Sequence, residues 1–235
     1  MHLIFVRNKA LKWYLRGGVP LANCRGAYQA KGAASAAAAL SNLANPGTFD
    51  LQNGTAYPTW DAATGWTFAA ASSQYLTIAS AIMTGVPISL VCRFQSIDIT
   101  NVRLLMSICD TGVGGYFALY CDGATAGDPI ISRTYGGGGG SSATTASGYT
   151  AGAWYTAAGV FTSATLRAAY INGGSKGTDV ISRTPSGLDT TYIGTYYSGG
   201  ALSTFLNGKI AACAFYNIAL SDAQVLAIHN AMMAL

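Results

Sequence analysis

Nine carboxylates, two imidazoles, five thiols and fourteen phenols are the groups in this 235-residue chain with chemistry to offer, and their spacing excludes most of it. Every carboxylate is an Asp; there is no Glu, and no two Asp alternate closely on a strand-like run. His2 and His229 stand at opposite ends, neither beside a Ser or Cys in a nucleophile motif, so they read as terminal and helix-surface residues. Cys24, Cys92, Cys109, Cys121 and Cys213 show no CxxC pair and no His at ligand spacing, which argues against a zinc site. Several of these thiols sit in apolar runs, so buried reduced cysteines are expected in place of a disulfide framework.

Aromatic faces are the recognition chemistry left, because Tyr and Trp stack on sugar rings while their polar tips hydrogen-bond. Tyr135 and Tyr149 bracket the Gly-rich stretch "YGGGGGSSATTASGY", and Tyr196 and Tyr197 follow a strand-like run in "GTYYSGG". These four are the candidate glycan contacts; Trp60, Trp66 and Trp154 lie in apolar settings and are assigned to the core. The Gly-rich stretch is not a phosphate loop, since no Lys-Ser/Thr pair or helix start follows it. It reads as a mobile excursion over residues 135–149.

The elements that must position these residues are mostly strands. Only 9% of residues are charged and Gly is abundant, a balance that favours strands and tight turns. "PISLVCRF" puts Ile88, Leu90, Cys92 and Phe94 on one side and Ser89, Val91, Arg93 and Gln95 on the other, the alternation of a strand with one face in a core. Further runs at 75–78, 103–108, 116–121, 130–135, 154–161, 166–171, 191–194 and 210–216 are separated by turn signals, which together predict an antiparallel sandwich or barrel. Asn172-Gly173 suits a hairpin turn joining 166–171 to about 177–182. Near the end, Ser221 and Gln224 form a capping box, and Val225, Ile228 and Met232 make an apolar stripe, so a helix closes the fold. A second short helix is expected within Ala33–Leu43.

The charge is uneven. Before Asp50 the chain carries Arg7, Lys9, Lys12, Arg16, Arg25 and Lys31 and no acid. Interleaved with these cations are Phe5, Trp13 and Tyr14, apolar surface that has to be buried somewhere. Phe5, Arg7, Lys9, Lys12, Trp13, Tyr14 and Arg16 are therefore read as an assembly arm that docks on another protein, in preference to a nucleic-acid contact. The chain divides at this stage into a basic segment, residues 1–45, and a sandwich domain, residues 46–235. The first residues are too broken by Arg and Lys for a signal peptide, and no run has the roughly 20 apolar residues of a membrane span.

"AWYTAAGVF" followed by "LRAAYINGG", then "YIGTYY" and "FLNGKIAACAFYNIALSDAQV", resembles the ordered strand motifs and strand-to-helix ending of the laminin-G-like, concanavalin-A-like jelly rolls. The resemblance spans about residues 58–230 and implies an all-β antiparallel jelly-roll sandwich, with an extended N-terminal arm and a short C-terminal helix. "YQAKGAASAAAALSNLANPGTFD" with "PTWDAATGWTF" is similar to the lead-in of such proteins in bacteriophages and prophages.

The resemblance does not fix one function, since jelly rolls serve lectins, glycanases, adhesion modules and virion parts. A glucanase needs two carboxyl groups flanking the scissile bond, and the Glu-x-Asp-x-Glu strand of that group is missing here. No resident cofactor is expected. Laminin-G-like modules bind calcium at a loop edge, and Asp110, Asp122 and Asp128, on consecutive predicted loops, are the candidate ligands; turns also favour Asp for backbone reasons. The favoured expectation is a non-enzymatic bacteriophage virion protein, a capsid decoration, fibre or tail-associated part made in the host bacterial cytoplasm. Its partners would be its own copies in a closed oligomer such as a trimer, other virion proteins and a host glycan. A cellular carbohydrate-binding or adhesion module is the alternative, and a hydrolase the remote one.

Overall fold

A computed structural model describes residues 12–235 and shows two antiparallel sheets packed face to face. The larger sheet runs in the order Gly174–Asp179, Leu166–Ile171, Trp154–Ser163, Ile88–Ser96, Gly208–Tyr216, Gly65–Phe68 and Thr59–Asp61, and Cys24–Gln29 also pairs with Gly208–Tyr216. The smaller runs Gly139–Gly148, Pro129–Gly136, Tyr116–Asp122, Val102–Cys109, Thr190–Ile193, Leu76–Ile78 and Gln52–Asn53. Among the described residues no helix is long and apolar enough to cross a membrane.

The core between the sheets follows from the alternation in the sequence. Ile88, Leu90, Cys92 and Phe94 are fully buried in it, facing Phe117, Leu119 and Cys121 from the smaller sheet within the same cluster. All five cysteines are buried and free, and burial pushes the Cys109 thiol up to about 11, so these thiols pack as small apolar side chains.

The other side of Ile88–Ser96 is not exposed, as a one-faced strand would be. Val91 packs beneath the closing helix Asp222–Met233, the Ser89 hydroxyl donates to the Ile218 carbonyl, and Arg93 donates to the carbonyls of Met232 and Leu235, both at 2.8 Å. The helix forms as expected: the Ser221 hydroxyl accepts from the Gln224 amide, the Gln224 side chain accepts from the Ser221 amide, and Val225, Ile228 and Met232 are buried. His229 is half-buried there, its Nδ1 2.8 Å from the Thr156 hydroxyl, which corrects the helix-surface reading.

Two expectations about organisation are corrected. The boundary at residue 45 does not separate two bodies, because Cys24–Gln29 lies antiparallel to Gly208–Tyr216 with Tyr28 opposite Cys213. Before it, Trp13 and Tyr14 pack with Val225, Ile228 and Met232 in one apolar cluster. Trp13 Nε1 donates to Gln29 Oε1 at 3.0 Å, and the Tyr14 hydroxyl donates to the Leu43 carbonyl at 2.7 Å. Their apolar surface is thus satisfied within the chain. Lys12 and Arg16 are exposed, while Phe5, Arg7, Lys9 and His2 lie outside the described residues.

The Gly-rich stretch is a strand rather than an excursion. Gly137 and Gly138 take φ of +60° and +83°, giving a two-residue turn, after which Gly139–Gly148 returns along Pro129–Gly136. Ser141, Ala143 and Thr145 point inward and are buried, a period-two pattern written in small residues. Asn172 and Gly173 make the other expected hairpin, and the return strand is Gly174–Asp179, three residues earlier than the sequence suggested. The short helix forms at Ala36–Leu40 with Ser35 as its N-cap.

Candidate functional site

The outer face of the smaller sheet carries the candidate site. Alternation places Tyr116, Ala118 and Tyr120 outward on one strand, and the register sets Tyr116 opposite Tyr135, Ala118 opposite Arg133 and Tyr120 opposite Ile131. Leu104, Cys109 and Tyr192 from neighbouring strands complete an apolar layer on this face. The hairpin Tyr196–Ser198/Ala201–Ser203 lies over part of it, with Tyr196, Tyr197 and Leu202 packed against the layer.

Where the hairpin stops, a groove of about 310 Å³ remains, lined by Val102, Leu104, Tyr116, Ala118, Tyr120, Arg133, Tyr196 and Thr204. Its aromatic wall is held rigidly. The Tyr116 ring stacks on Tyr135 with centroids 5.4 Å apart and planes at 15°, and takes Tyr196 edge-on at 5.0 Å and 87°. Burial pushes the Tyr116 phenol up to about 12 although Arg133 pulls it down, and burial likewise raises Tyr120, so both phenols are neutral at ordinary pH. Burial alone would lower the Arg133 pKa; the adjoining Tyr116 and Tyr120 phenols outweigh it, and the guanidinium stays charged.

The expected glycan contacts divide. Tyr196 lines the groove, Tyr135 backs it through Tyr116, and half-buried Tyr197 packs behind the same hairpin with its amide donating to Cys109 Sγ at 3.4 Å. Tyr149 belongs instead to the core: it is 2% exposed, its hydroxyl donates to the Asp98 carbonyl at 2.7 Å, and its ring meets Phe94 edge-on. That reading is corrected, because the strand ending at Gly148 carries Tyr149 between the sheets. Trp66 is in the core as expected, whereas Trp60 and Trp154 are only half-buried, Trp154 under the Arg93 guanidinium.

The three aspartates do not converge. Val102 pairs with Asp122 at one end of a hairpin and Cys109 with Tyr116 at the other, so Asp110, next to Cys109, sits at the opposite end from Asp122 and Asp128. Each serves its own turn: Asp110 Oδ1 accepts from the Gly112 and Val113 amides, Asp122 from the Ala124 amide and Thr125 hydroxyl, and Asp128 takes a φ of +47°. Among the described residues no three His, Cys, Asp or Glu side chains gather as a metal site.

Sequence reasoning missed Tyr116, Tyr120 and Arg133. The signal was present in "YFALYC" and "IISRTY", where Tyr116 and Tyr120, and Arg133 and Tyr135, share a strand face at even spacing. Residues 69–226 match the model of a family described as the concanavalin A-like lectin/glucanases superfamily. The chain belongs to this family.

Solved structures with the same concanavalin A-like fold extend the match. Domain 4 of AbnA, an extracellular arabinanase from Geobacillus stearothermophilus, in complex with arabinotriose, superposes with a TM-score of 0.64 at 13% identity, over 88% of this chain and 98% of that one. A heptameric SAP-like pentraxin from Limulus polyphemus gives 0.53 at 15% identity, over 76% and 81%. The CBM40 of the Ruminococcus gnavus IT-sialidase gives 0.51 at 17% identity, over 63% and 84%. At these identities the likeness is one of fold. No curated protein matches the chain.

Proposed function

We propose that this concanavalin A-like protein is a non-enzymatic glycan-binding module whose site is the groove on the outer face of the smaller sheet. The observation that carries the reading is the half-buried Tyr196 ring, backed by the buried Tyr116 and standing beside the charged Arg133, an apolar surface with a hydrogen-bond donor at its edge. The lining contains no carboxylate, so a two-carboxyl hydrolysis has neither acid nor base at this place. The arabinotriose complex of the Geobacillus domain supports sugar binding as a use of this fold. Titration calorimetry against a panel of oligosaccharides tests the proposal. Binding that weakens about tenfold in Tyr196→Ala, with the unfolding midpoint little changed, is expected; a panel without any ligand, or an unaffected variant, refutes it.

We further propose that the module rides on a bacteriophage particle as a decoration, fibre or tail-associated part, self-associated in a closed oligomer and carrying its groove toward a host glycan. The support is the likeness of residues 28–50 and 58–68 to phage lead-in segments. Because Trp13 and Tyr14 are used internally, attachment falls to residues 1–11 together with exposed Lys12 and Arg16. Removing residues 1–11 should release the protein from purified particles and leave the sandwich folded; retention on the particle contradicts the anchoring role.

A further inference from the structure

Arg133 is a cation without a counter-ion. Three ion pairs are formed among the described residues, Arg103 with Asp98, Arg167 with Asp179 and Lys176 with Asp222, and Arg133 is in none of them. Its neighbours in the groove are phenols, apolar side chains and Thr204, none of them charged, and its Nε is buried with no hydrogen-bond partner among the described residues. A partly buried guanidinium that is neither paired nor fully hydrogen-bonded carries a desolvation penalty, which an arriving anion would offset.

The surroundings hold that guanidinium in place. Arg133 stands opposite Ser142 in the adjoining strand, and a side-chain carbon at Gly140, two residues before Ser142 on the same face, would lie 2.3 Å from Arg133 Nη2. The backbone at Gly140 is therefore the floor on which the guanidinium rests, and any larger residue there would displace it. The Gly-rich strand that the sequence suggested as a mobile excursion has this separate use: it makes room for an arginine.

We infer that the groove takes a carboxylated sugar, a sialic or uronic acid residue, with its ring against Tyr196 and its carboxylate on Arg133. A planar guanidinium matches a carboxylate through paired N–H···O bonds, and the low polarity of the tyrosine wall strengthens that pair over one formed in water. The inference rests on the glycan-binding reading of the same groove and adds the class of sugar.

The test compares 3′-sialyllactose with lactose, and trigalacturonate with galactotriose, by titration calorimetry on the whole chain, wild type, Arg133→Gln and Gly140→Val. Wild type should bind at least one acidic sugar about tenfold or more tightly than its neutral counterpart. Arg133→Gln should abolish that preference, bringing acidic and neutral sugars to similar affinities. Gly140→Val, with Arg133 present but displaced, should lower acidic binding in the same direction. Unfolding midpoints separate these effects from loss of fold. Equal wild-type affinity for acidic and neutral sugars overturns the inference while glycan binding stands; an acidic preference that survives Arg133→Gln also overturns it. No binding of any sugar removes the underlying reading as well.

Discussion

Both sheets of this sandwich turn an apolar outer face away from the core, and the chain treats the two differently. On the larger sheet, Val91, Ala158, Val160, Ala214 and Tyr216 lie under the closing helix and under Trp13 and Tyr14, so a second packed layer forms there. On the smaller sheet, Tyr116, Tyr120, Tyr192 and Leu104 are covered by a short two-stranded hairpin and by single side chains such as Tyr75 and Tyr135, an incomplete layer that leaves a groove open. Both faces carry tyrosines, but on the covered face the aliphatic Val91, Val160, Val225, Ile228 and Met232 complete the packing, whereas the open face keeps the half-buried Tyr196 and the unpaired Arg133 guanidinium at its groove. Aliphatic surface is suited to burial alone, whereas tyrosines tolerate water at their hydroxyls and offer flat apolar rings to a ligand. The difference between the faces is thus one of chemistry as well as of covering.

Substitutions can break that contrast. Ile228→Ala, in the fully buried stripe of the closing helix, should cost about 2–5 kcal/mol in urea unfolding, because it leaves a cavity in a packed layer. Tyr196→Ala on the open face should lose its effect mainly in sugar affinity, about tenfold, with a stability change of about 1 kcal/mol or less. A stability loss as large as that of Ile228→Ala would mean that the open face is ordinary core. Ser221→Ala, which removes the cap of the closing helix, should cost about 1 kcal/mol and leave sugar affinity unchanged, since the cap serves the opposite face.

The smallest effect expected is in pH. Burial holds the His229 pKa below its ordinary value, so the unfolded chain takes up the proton first as pH falls. Its contribution to stability is complete above about pH 6.5 and declines below that, toward the lower folded pKa. The melting temperature should therefore fall between about pH 7.5 and pH 5.5, less steeply in His229→Gln. Affinity in the groove should stay level over the same range, because Tyr116 titrates only near 12 and Arg133 stays charged.

How much of this was legible in the sequence depended on side-chain size. Ile88–Phe94 and the stripe Val225, Ile228 and Met232 announced themselves because large apolar residues recur at a fixed period. The strand Gly139–Gly148 has the same period in Ser, Ala and Thr, which carry too little apolar surface to stand out, and its glycines suggested a loop. Cys24–Gln29 was hidden by the basic residues around it; its place in the sheet depends on a partner almost 190 residues away, which no local pattern reveals. The groove was half legible. Tyr196 was visible as an aromatic beside turn glycines, but Tyr116 and Arg133 are brought together only by the register of two strands, and that register is set by pairing across the whole sheet.

Amide chemical-shift mapping of the isotopically labelled protein, titrated with the tightest sugar of the panel, is the most direct test of where the ligand sits. Shifts that saturate at residues 116–120, 131–135 and 196–204, with the helix Asp222–Met233 undisturbed, are expected. Shifts confined to the helix-covered face, or to the loops around Asp110 or Asp122, would place the binding surface elsewhere and contradict the assignment of function to the groove beside Tyr196 and Arg133.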